Sequence, residues 1–309
     1  MHFVKMHGLG NDYIYVDEFL YPGPRDIAAA APRASDRHTG IGGDGLVLIQ
    51  PTDAADCRMR MFNADGSEGR MCGNAIRCIA YYMLVRHPER CKGDAVRIET
   101  LSGLRAVTAQ RDAQGRILSL RADMDEPGFS AESIPVLSDA PQDVDVPFRG
   151  GTKKGVCVCM GSPHVVLFVD EDPMELDLPA VGPAVECCAL FPNRVNVEFV
   201  RVLADGSLQM RVWERGTGET MACGTGACAS AVAAMYTGRI AAREATVHLR
   251  GGDLFIEWNA QNNRVYMTGP AAIAFEGDWL EDGELYSAQR APAEVRHALS
   301  SCRKTCCGN

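Results

Sequence analysis

A repeat with a single offset of 151 residues runs through this 309-residue chain and limits its possible folds more than any other feature. Residues 58–63 align with residues 209–214, and both segments are predicted to be strands that lead into a loop. Cys72 then aligns with Cys223, and each cysteine begins an apolar segment of helical length. Separated matches at one offset rarely arise by chance, so the chain is a duplication of one structural unit.

One helix is predicted in each copy of the unit. Residues 73–85 are apolar nearly all round and stop before a His-Pro pair, which predicts a buried helix. Residues 224–236 are rich in small side chains and stop at Gly238, which predicts a second central helix. Short β-rich runs surround both helices, at residues 95–100, 117–122, 156–160, 165–169 and 254–258. The pattern predicts two α+β domains, each a curved sheet wrapped around one core helix.

The duplication also sets the predicted domain limits. A first domain at residues 1–118 carries the first cysteine of the aligned pair, and a second domain at residues 119–270 carries the other. A strand near residues 271–285 is expected to pack back on the first domain, and residues 286–309 form a C-terminal tail. The mass of 33.4 kDa agrees with two domains, because it is about twice that of a usual domain.

Charge and hydropathy indicate the class of partner. The net charge of −9 and the pI near 5.3 argue against binding to nucleic acid or to an anionic membrane surface. No apolar run reaches the roughly 18 residues that a membrane helix needs, and the first residues lack the pattern of a signal peptide. We therefore expect a soluble, cytoplasmic protein whose partner is a small molecule.

Thirteen cysteines raise the question of disulfides and metals. The odd number and the lack of an export signal argue against a disulfide framework. Thiols cluster at residues 157–159, 187–188 and 302–307, but none of these clusters forms the paired CxxC knuckles of a zinc site. The sequence therefore predicts no metal.

The two aligned cysteines have a setting that favours acid–base chemistry. A cysteine just before a helix lies near unpaired N–H groups and the positive end of the helix dipole, which are expected to lower its pKa. The glycines in Cys72-Gly73-Asn74 and Cys223-Gly224-Thr225 let backbone donors approach an anion such as a carboxylate. Two thiols facing one carbon could remove a proton from one face and deliver one to the other. The pattern therefore predicts inversion of a stereocentre.

Other functions stay open on these residues alone. A racemase that uses pyridoxal phosphate needs a lysine, but the chain has only five lysines and none lies in the paired motifs. A thiol nucleophile with His164 as base is a second interpretation, although acyl transfer needs only one cysteine. A non-catalytic module that binds carboxylates is a third, although it would not need two thiols.

The residues around both cysteines resemble the two signatures of the diaminopimelate epimerase family, a group of cofactor-independent enzymes. The signatures correspond to residues 63–74 and 214–226. Further family-like segments occur along residues 1–280: His7-Gly8-Leu9-Gly10-Asn11-Asp12-Tyr13, Asp36-Arg37-His38, Gly40-Ile41-Gly42, Phe191-Pro192, Arg194-Val195-Asn196-Val197 and Thr268-Gly269-Pro270.

The resemblance implies mixed or antiparallel barrel-like sheets in two pseudo-symmetric domains. It also implies interconversion of LL- and meso-2,6-diaminopimelate, a step in lysine and peptidoglycan precursor synthesis, without a cofactor. Cys72 and Cys223 would be the two bases, with His164 and Glu214 close to them. The residues implied to bind substrate are Asn11, Asn63, Gly73, Asn74, Ser162, Asn196, Glu214, Arg215, Gly224 and Thr225.

The chain departs from the family pattern at one implied substrate residue. Relatives usually have Met-Gly-Asn-Pro-His where this chain has Met160-Gly161-Ser162-Pro163-His164, so a hydroxyl replaces an amide. The alternative within the same superfamily is a proline or hydroxyproline racemase, but those enzymes typically have histidine where this chain has Asn74. Whether the chain forms a homodimer stays open.

Overall fold

The computed structural model describes residues 1–280. The predicted tail at residues 286–309, including its three cysteines, lies outside the described residues, as do the last five positions of the predicted strand at residues 271–285. Within the described residues, every strand and helix falls into one of two similar series.

The first series contains eight strands and two helices. The strands are β1 (His2–Gly8), β2 (Asn11–Asp17), β3 (Gly45–Gln50), β4 (Cys57–Asn63), β5 (Glu68–Gly69), β6 (Ala95–Thr100), β7 (Gly103–Arg111) and β8 (Ile117–Asp123). The helices are α1 (Ile27–Ser35) and α2 (Gly73–Arg86). A 3₁₀ helix follows α2 at Pro88–Arg90.

The second series repeats this order and adds two strands. The strands are β9 (Val144–Phe148), β10 (Gly151–Cys159), β11 (Pro163–Phe168), β12 (Asn196–Val202), β13 (Leu208–Glu214), β14 (Gly218–Glu219), β15 (Glu244–Leu249), β16 (Gly252–Trp258), β17 (Val265–Gly269) and β18 (Ala272–Asp278). The helices are α3 (Leu178–Glu186) and α4 (Gly224–Tyr236), with a 3₁₀ helix at Pro173–Glu175. The two predicted helices and five predicted strand segments are therefore confirmed, with small differences at their ends.

The sheet has a pseudo-twofold arrangement. Hydrogen bonding connects the strands in the order β18-β1-β2-β3-β4-β6-β7-β8, and the second series follows the matching order β9-β10-β11-β12-β13-β15-β16-β17. The antiparallel pair of β8 and β17 joins the two series into one continuous sheet. Because β18 pairs with β1 at the other end, the last described strand returns to the first series. The predicted domain limit at residue 118 falls within β8, and the division into domains stays a prediction.

Strands β4 and β13 illustrate why the repeated segments form sheet. Buried apolar residues alternate with partly exposed polar ones along both strands, so one face of each strand packs on the core. On the other face, Arg60 pairs with Glu68 at 2.8 Å and Arg211 pairs with Glu219 at 2.7 Å. The same ion pair thus holds the short strand β5 against β4 and β14 against β13.

Helices α1 and α3 were not predicted from the sequence, although they also lie 151 residues apart. Asp26 caps α1 through the N–H of Ala29 at 3.1 Å, and Asp177 caps α3 through the N–H of Ala180 at 3.3 Å. Each helix has only nine residues and contains a proline, so its apolar pattern is too short to identify.

Helices α2 and α4 lie in one hydrophobic core that the two series share. Met267, from β17, contacts both helix starts, and a Cβ added at Gly73 would lie 2.7 Å from Met267 Cε. Glycine at this position therefore lets the helix approach the sheet closely. Within residues 1–280, no helix combines the length and apolar character needed to cross a bilayer.

Candidate active site

Cys72 and Cys223 occupy equivalent positions at the N-terminal ends of α2 and α4. Each is the N-cap residue with extended backbone, at φ −132° and ψ 122° for Cys72 and at φ −114° and ψ 111° for Cys223. The Cys223 Sγ accepts a hydrogen bond from the N–H of Gly226 at 3.4 Å. The Cys72 Sγ lies 3.6 Å from the Asn11 Oδ1. The duplicated unit thus places one thiol at the start of each central helix.

The side chain of Asn74 joins the two thiol-bearing segments. Its Nδ2 donates to the carbonyl oxygen of Ala222 at 3.2 Å and to the Asn11 Oδ1 at 3.1 Å. Its Oδ1 accepts from the buried guanidinium of Arg77 at 2.8 Å. Because Ala222 immediately precedes Cys223, the Asn74 amide holds the start of α2 beside the start of α4.

The pKa of both thiols differs from the sequence-based expectation. Burial raises the pKa of Cys72, although the N–H groups at the start of α2 lower it. Burial also raises the pKa of Cys223 well above its ordinary value, against the lowering effect of Thr225 and of the N–H of Gly226. The prediction of a lowered thiol pKa is therefore wrong. Burial away from solvent raises the pKa of each thiol by more than the N–H groups at the helix start lower it.

Glu214 lies where its charge acts on both thiols. Its carboxylate raises the pKa of Cys72 and of Cys223, which places it near each. Burial raises the pKa of Glu214 itself to about 7, although the Thr220 hydroxyl donates a hydrogen bond to Glu214 Oε1. Glu214 can therefore change protonation state near neutral pH.

His164 belongs to a buried chain of polar contacts. Its Nδ1 lies 2.7 Å from the Glu198 Oε1, and its Nε2 lies 2.9 Å from the Ser162 Oγ. The Ser162 Oγ is 3.3 Å from the Thr225 Oγ1, which in turn is 3.5 Å from the Cys223 Sγ. Two hydroxyl groups thus link His164 to the Cys223 Sγ along this chain of contacts. The closeness of His164 to the thiols stays a prediction.

Polar side chains from the first series surround Asn11. The Asn11 Nδ2 donates to the Asp44 carboxylate at 2.7 Å, and burial raises the pKa of Asp44. Asn63 lies at the end of β4 opposite Gly45, next to Asp44. Its Nδ2 donates to the Ser67 Oγ at 3.0 Å, within the turn that follows β4. Asn63 therefore lies beside the Asn11 cluster without a hydrogen bond to it among the described contacts.

Arg215 follows β13 and is exposed, with its backbone fixed by Asn196. The Asn196 Oδ1 accepts from the N–H of Arg215 at 2.9 Å, and the Asn196 Nδ2 donates to the carbonyl oxygen of Pro163 at 2.9 Å. The Arg215 Nη1 donates to the carbonyl oxygen of Asn193 at 3.2 Å. The guanidinium thus keeps donors available for a bidentate carboxylate contact.

Three polar residues near the thiols were not predicted from the sequence: Asp44, Glu198 and Thr220. Glu198 did have a signal, because it is a charged residue between Val197 and Phe199 in an apolar strand. Such a residue on the buried face of a strand usually needs a partner, and here the partner is His164.

The clustered thiols show no metal geometry in the part of the chain that the structure describes. Within residues 1–280, no group of three His, Cys, Asp or Glu side chains is placed to hold a metal ion. Cys157 and Cys159 lie two residues apart on β10, and Cys187 and Cys188 directly follow α3, all as free thiols. The cysteines at residues 302–307 lie outside the described residues.

Solved structures with a similar fold include two enzymes that act on amino acids. A probable proline racemase from Agrobacterium radiobacter K84 has a TM-score of 0.66 and 15% identity, and the match covers 92% of this chain and 94% of that one. A hydroxyproline epimerase from Agrobacterium vitis has a TM-score of 0.65 and 16% identity, covering 92% and 93%. At this identity the likeness shows the fold alone, and it confirms the predicted α+β fold class.

Sequence relatives are much closer. The diaminopimelate epimerase family model matches residues 3–129 and 156–274. A diaminopimelate epimerase from Moorella thermoacetica is 50% identical over 284 residues, covering 91% of this chain and 100% of that protein. Another from Acetivibrio thermocellus is 49% identical over 288 residues, covering 90% and 98%. This chain belongs to the diaminopimelate epimerase family.

Proposed function

We propose that the chain is a cofactor-independent isomerase that interconverts LL- and meso-2,6-diaminopimelate, in lysine and peptidoglycan precursor synthesis. Its family membership and relatives at 46–50% identity, all named diaminopimelate epimerase, support this activity. The site supports the reaction type independently, because its two thiols come from the two copies of one repeated unit.

The observation that carries the proposal is the symmetric placement of Cys72 and Cys223 at two helix starts that Asn74 holds together. A substrate α-carbon between the two thiols would present a different face to each. One thiolate then removes the α-proton and the other thiol delivers a proton to the opposite face, which inverts the centre. Each turnover leaves the two thiols with exchanged protonation states.

The substrate's reacting carboxylate fits the N-terminal ends of the two helices. Backbone N–H groups at the start of a helix lack partners within the helix and attract anions. We assign this role to Gly73, Asn74, Gly224 and Thr225. Because negative charge develops on the carboxylate as the α-proton leaves, these donors stabilise the transition state more than the ground state.

The protein needs side chains that bind the ammonium and the carboxylate at the distal amino-acid end of the substrate. Arg215 is exposed and has N–H donors for a bidentate contact with the carboxylate. Carbonyl and carboxylate oxygens can accept from the ammonium. The residues that we assign to substrate binding beyond the helix ends are Asn11, Asn63, Ser162, Asn196, Glu214 and Arg215.

The raised thiol pKa fits a reaction that begins only when substrate is bound. In the free site, burial favours the neutral thiols. A substrate ammonium group brings positive charge next to the thiols, which favours a thiolate. We also propose that the enzyme works in the cytoplasm.

Incubation with LL-diaminopimelate and, separately, with L-proline in deuterium oxide tests the activity, with loss of the α-proton NMR signal as the measurement. We expect exchange with diaminopimelate and none with proline, because proline has no distal group for Arg215. Faster exchange with proline would contradict the substrate assignment and leave the reaction type intact.

Two alanine variants provide the matched comparison. Cys72→Ala should reduce exchange by about 10²- to 10⁴-fold, the usual cost of losing a general acid or base. Cys78→Ala removes a thiol buried within the same helix and should leave exchange nearly unchanged. Equal activity in Cys72→Ala and the unaltered protein would contradict the proposed role of the thiol.

A further inference from the structure

Arg77 is a fully buried arginine on α2, one of the two central helices. Burial lowers the pKa of Arg77 from its ordinary value, but a guanidinium stays protonated in proteins. Its side chain is therefore a cation without access to solvent. Because a buried charge is costly unless an opposite charge balances it, the surroundings of Arg77 should show what balances this one.

The guanidinium of Arg77 donates only to uncharged acceptors. Its Nη2 donates to the Asn74 Oδ1 at 2.8 Å, and its Nη1 donates to the carbonyl oxygen of Gly73 at 3.1 Å. Its Nε donates to the carbonyl oxygen of Pro270 at 3.4 Å, and its Nη1 lies 3.4 Å from the Met267 Sδ. Among residues 1–280, no carboxylate forms an ion pair with Arg77.

Two glycines from different strands leave room for this guanidinium. A Cβ added at Gly8, at the end of β1, would lie 2.9 Å from the Arg77 Nη2. A Cβ added at Gly269, at the end of β17, would lie 3.4 Å from the Arg77 Nε. Both glycines belong to family-like segments, at residues 7–13 and 268–270. These two segments thus form part of the space that holds the buried cation.

The surroundings of Arg77 include the starts of both central helices. Gly73 and Asn74, which accept from Arg77, are the first two residues of α2. A Cβ added at Gly224, the first residue of α4, would lie 3.5 Å from the Asn74 Oδ1. Burial raises the pKa of Cys228, in α4, to about 12, and the charge of Arg77 opposes that effect. One cation therefore lies near the anion-attracting ends of both helices.

The repeated unit contains this cation only once. The position 151 residues after Arg77 is Cys228, a buried thiol that is neutral because burial raises its pKa to about 12. The position 151 residues after Gly8 is Cys159, so the space beside the guanidinium is not repeated either. Two helix starts thus share one positive charge, which suits one bound anion.

Two nearby carboxyl groups could in principle balance the charge of Arg77. Asp44 is linked to Asn74 through the amide of Asn11, which separates its carboxylate from the guanidinium. Burial raises the pKa of Glu214 to about 7, so this group is partly protonated near neutral pH. Since neither forms an ion pair with Arg77, its charge remains available to an anion that binds at the helix starts.

We propose that Arg77 is a positioning residue that prepares the two helix starts for one substrate carboxylate. The guanidinium fixes the Asn74 amide through its Oδ1, so that the Asn74 Nδ2 faces the carbonyl oxygen of Ala222. The bound carboxylate balances the buried charge. This role rests on the proposed function for the identity of the anion. Negative charge that develops on the carboxylate as the α-proton leaves is stabilised by the same cation.

Iodoacetate and iodoacetamide test this charge without diaminopimelate. Both reagents alkylate the thiolate, but only iodoacetate carries a carboxylate on the reacting carbon. The ratio of the two alkylation rates at one cysteine is therefore independent of its thiolate fraction. Peptide mass spectrometry at low conversion and neutral pH gives this ratio for Cys72, with the exposed Cys187 of the same sample as the reference.

We expect the iodoacetate-to-iodoacetamide ratio of Cys72 to exceed that of Cys187 by about tenfold, because Arg77 attracts the reagent's carboxylate where water is excluded. Arg77→Met and Arg77→Gln should each lower the Cys72 ratio by at least about fivefold. The glutamine keeps an amide donor for the Asn74 Oδ1, so these two variants separate charge from hydrogen bonding.

Arg86→Met provides the matched control on the same helix. Arg86 is half-exposed in the last turn of α2 and donates to the Glu276 carboxylate at 2.9 Å. Its removal takes away one positive charge from α2 at the end opposite to Cys72, and should leave the Cys72 ratio within about twofold of that of the unaltered protein.

Three results would overturn the role of Arg77: a Cys72 ratio no higher than that of Cys187 in the unaltered protein, a ratio preserved in Arg77→Gln, or an equal loss in Arg86→Met. The first result needs no variant, so it decides the matter even where a substitution of the buried arginine prevents folding. A failure to epimerise diaminopimelate would contradict the proposed function without affecting these ratios, and the reverse also holds.

Discussion

At the scale of single residues, burial has the largest effect on the ionisable groups nearest the thiols. It is the leading cause of the raised pKa of Cys72, Cys223 and Glu214. A site that favours neutral forms at rest needs an incoming charge, or an internal proton acceptor, to produce a thiolate. The substrate ammonium is one such charge.

The raised pKa of Glu214 predicts a particular dependence of stability on pH. Because the folded protein holds this proton more tightly, its contribution is fully present below the unfolded pKa of about 4.5 and is lost as pH rises through about 7. The free energy of unfolding should therefore fall across this window, by on the order of 1–3 kcal/mol from this group. Glu214→Gln should remove that part of the fall.

Urea unfolding near pH 5 and near pH 7 measures this difference. Glu244→Gln is a suitable control, since Glu244 is an exposed glutamate at the start of β15. If Glu214→Gln and the control show the same change in stability between the two pH values as the unaltered protein, the buried environment of Glu214 is contradicted.

The positions of the two thiols at helix starts were predictable at this scale, because local sequence motifs identify them. The paired cysteines, the glycines after them and Arg215 all lie in short motifs. The sequence signal of Glu198 predicts a buried partner but not which one, and Asp44 has no such signal, because their contacts with His164 and Asn11 join strands distant in sequence. The net thiol pKa was also inaccessible, since it depends on how many neighbours exclude water.

At the scale of elements, the repeat extends even to helix caps. Asp26 and Asp177 begin α1 and α3 in the same way and lie 151 residues apart. The buried helices α2 and α4 were predictable from long apolar runs, whereas α1 and α3 depend on packing and on one cap each. Their short, proline-containing sequences lack the periodicity that identifies a helix.

Removing either helix cap should lower the stability of the protein by a similar amount. Asp26→Ala and Asp177→Ala should each lower the free energy of unfolding by about 1 kcal/mol, because an N–H at the start of the helix loses its acceptor. Urea unfolding of the two variants and of Asp139→Ala, at an exposed aspartate outside the helices, measures the effect. A loss no larger than that of the control would contradict a stabilising role for the caps.

At the scale of the whole molecule, duplication explains why one chain supplies two similar thiols. The sheet runs continuously through β8 and β17, and both central helices enter the same core. The shared sheet was not predictable from the repeat, because similarity between the halves does not reveal how they join. The copies differ in side chains near the thiols, such as Ser162 against Asn11.

The central claim is that the two thiols act on opposite faces of one carbon. Unlabelled LL-diaminopimelate in deuterium oxide, stopped at low conversion and analysed by NMR and mass spectrometry, tests it most directly. We expect the meso product to carry deuterium at the inverted carbon in nearly every molecule while the remaining substrate keeps its protium, because the delivering thiol exchanges with solvent. A product that retains the original proton would show that one group performs both transfers, and would contradict the account.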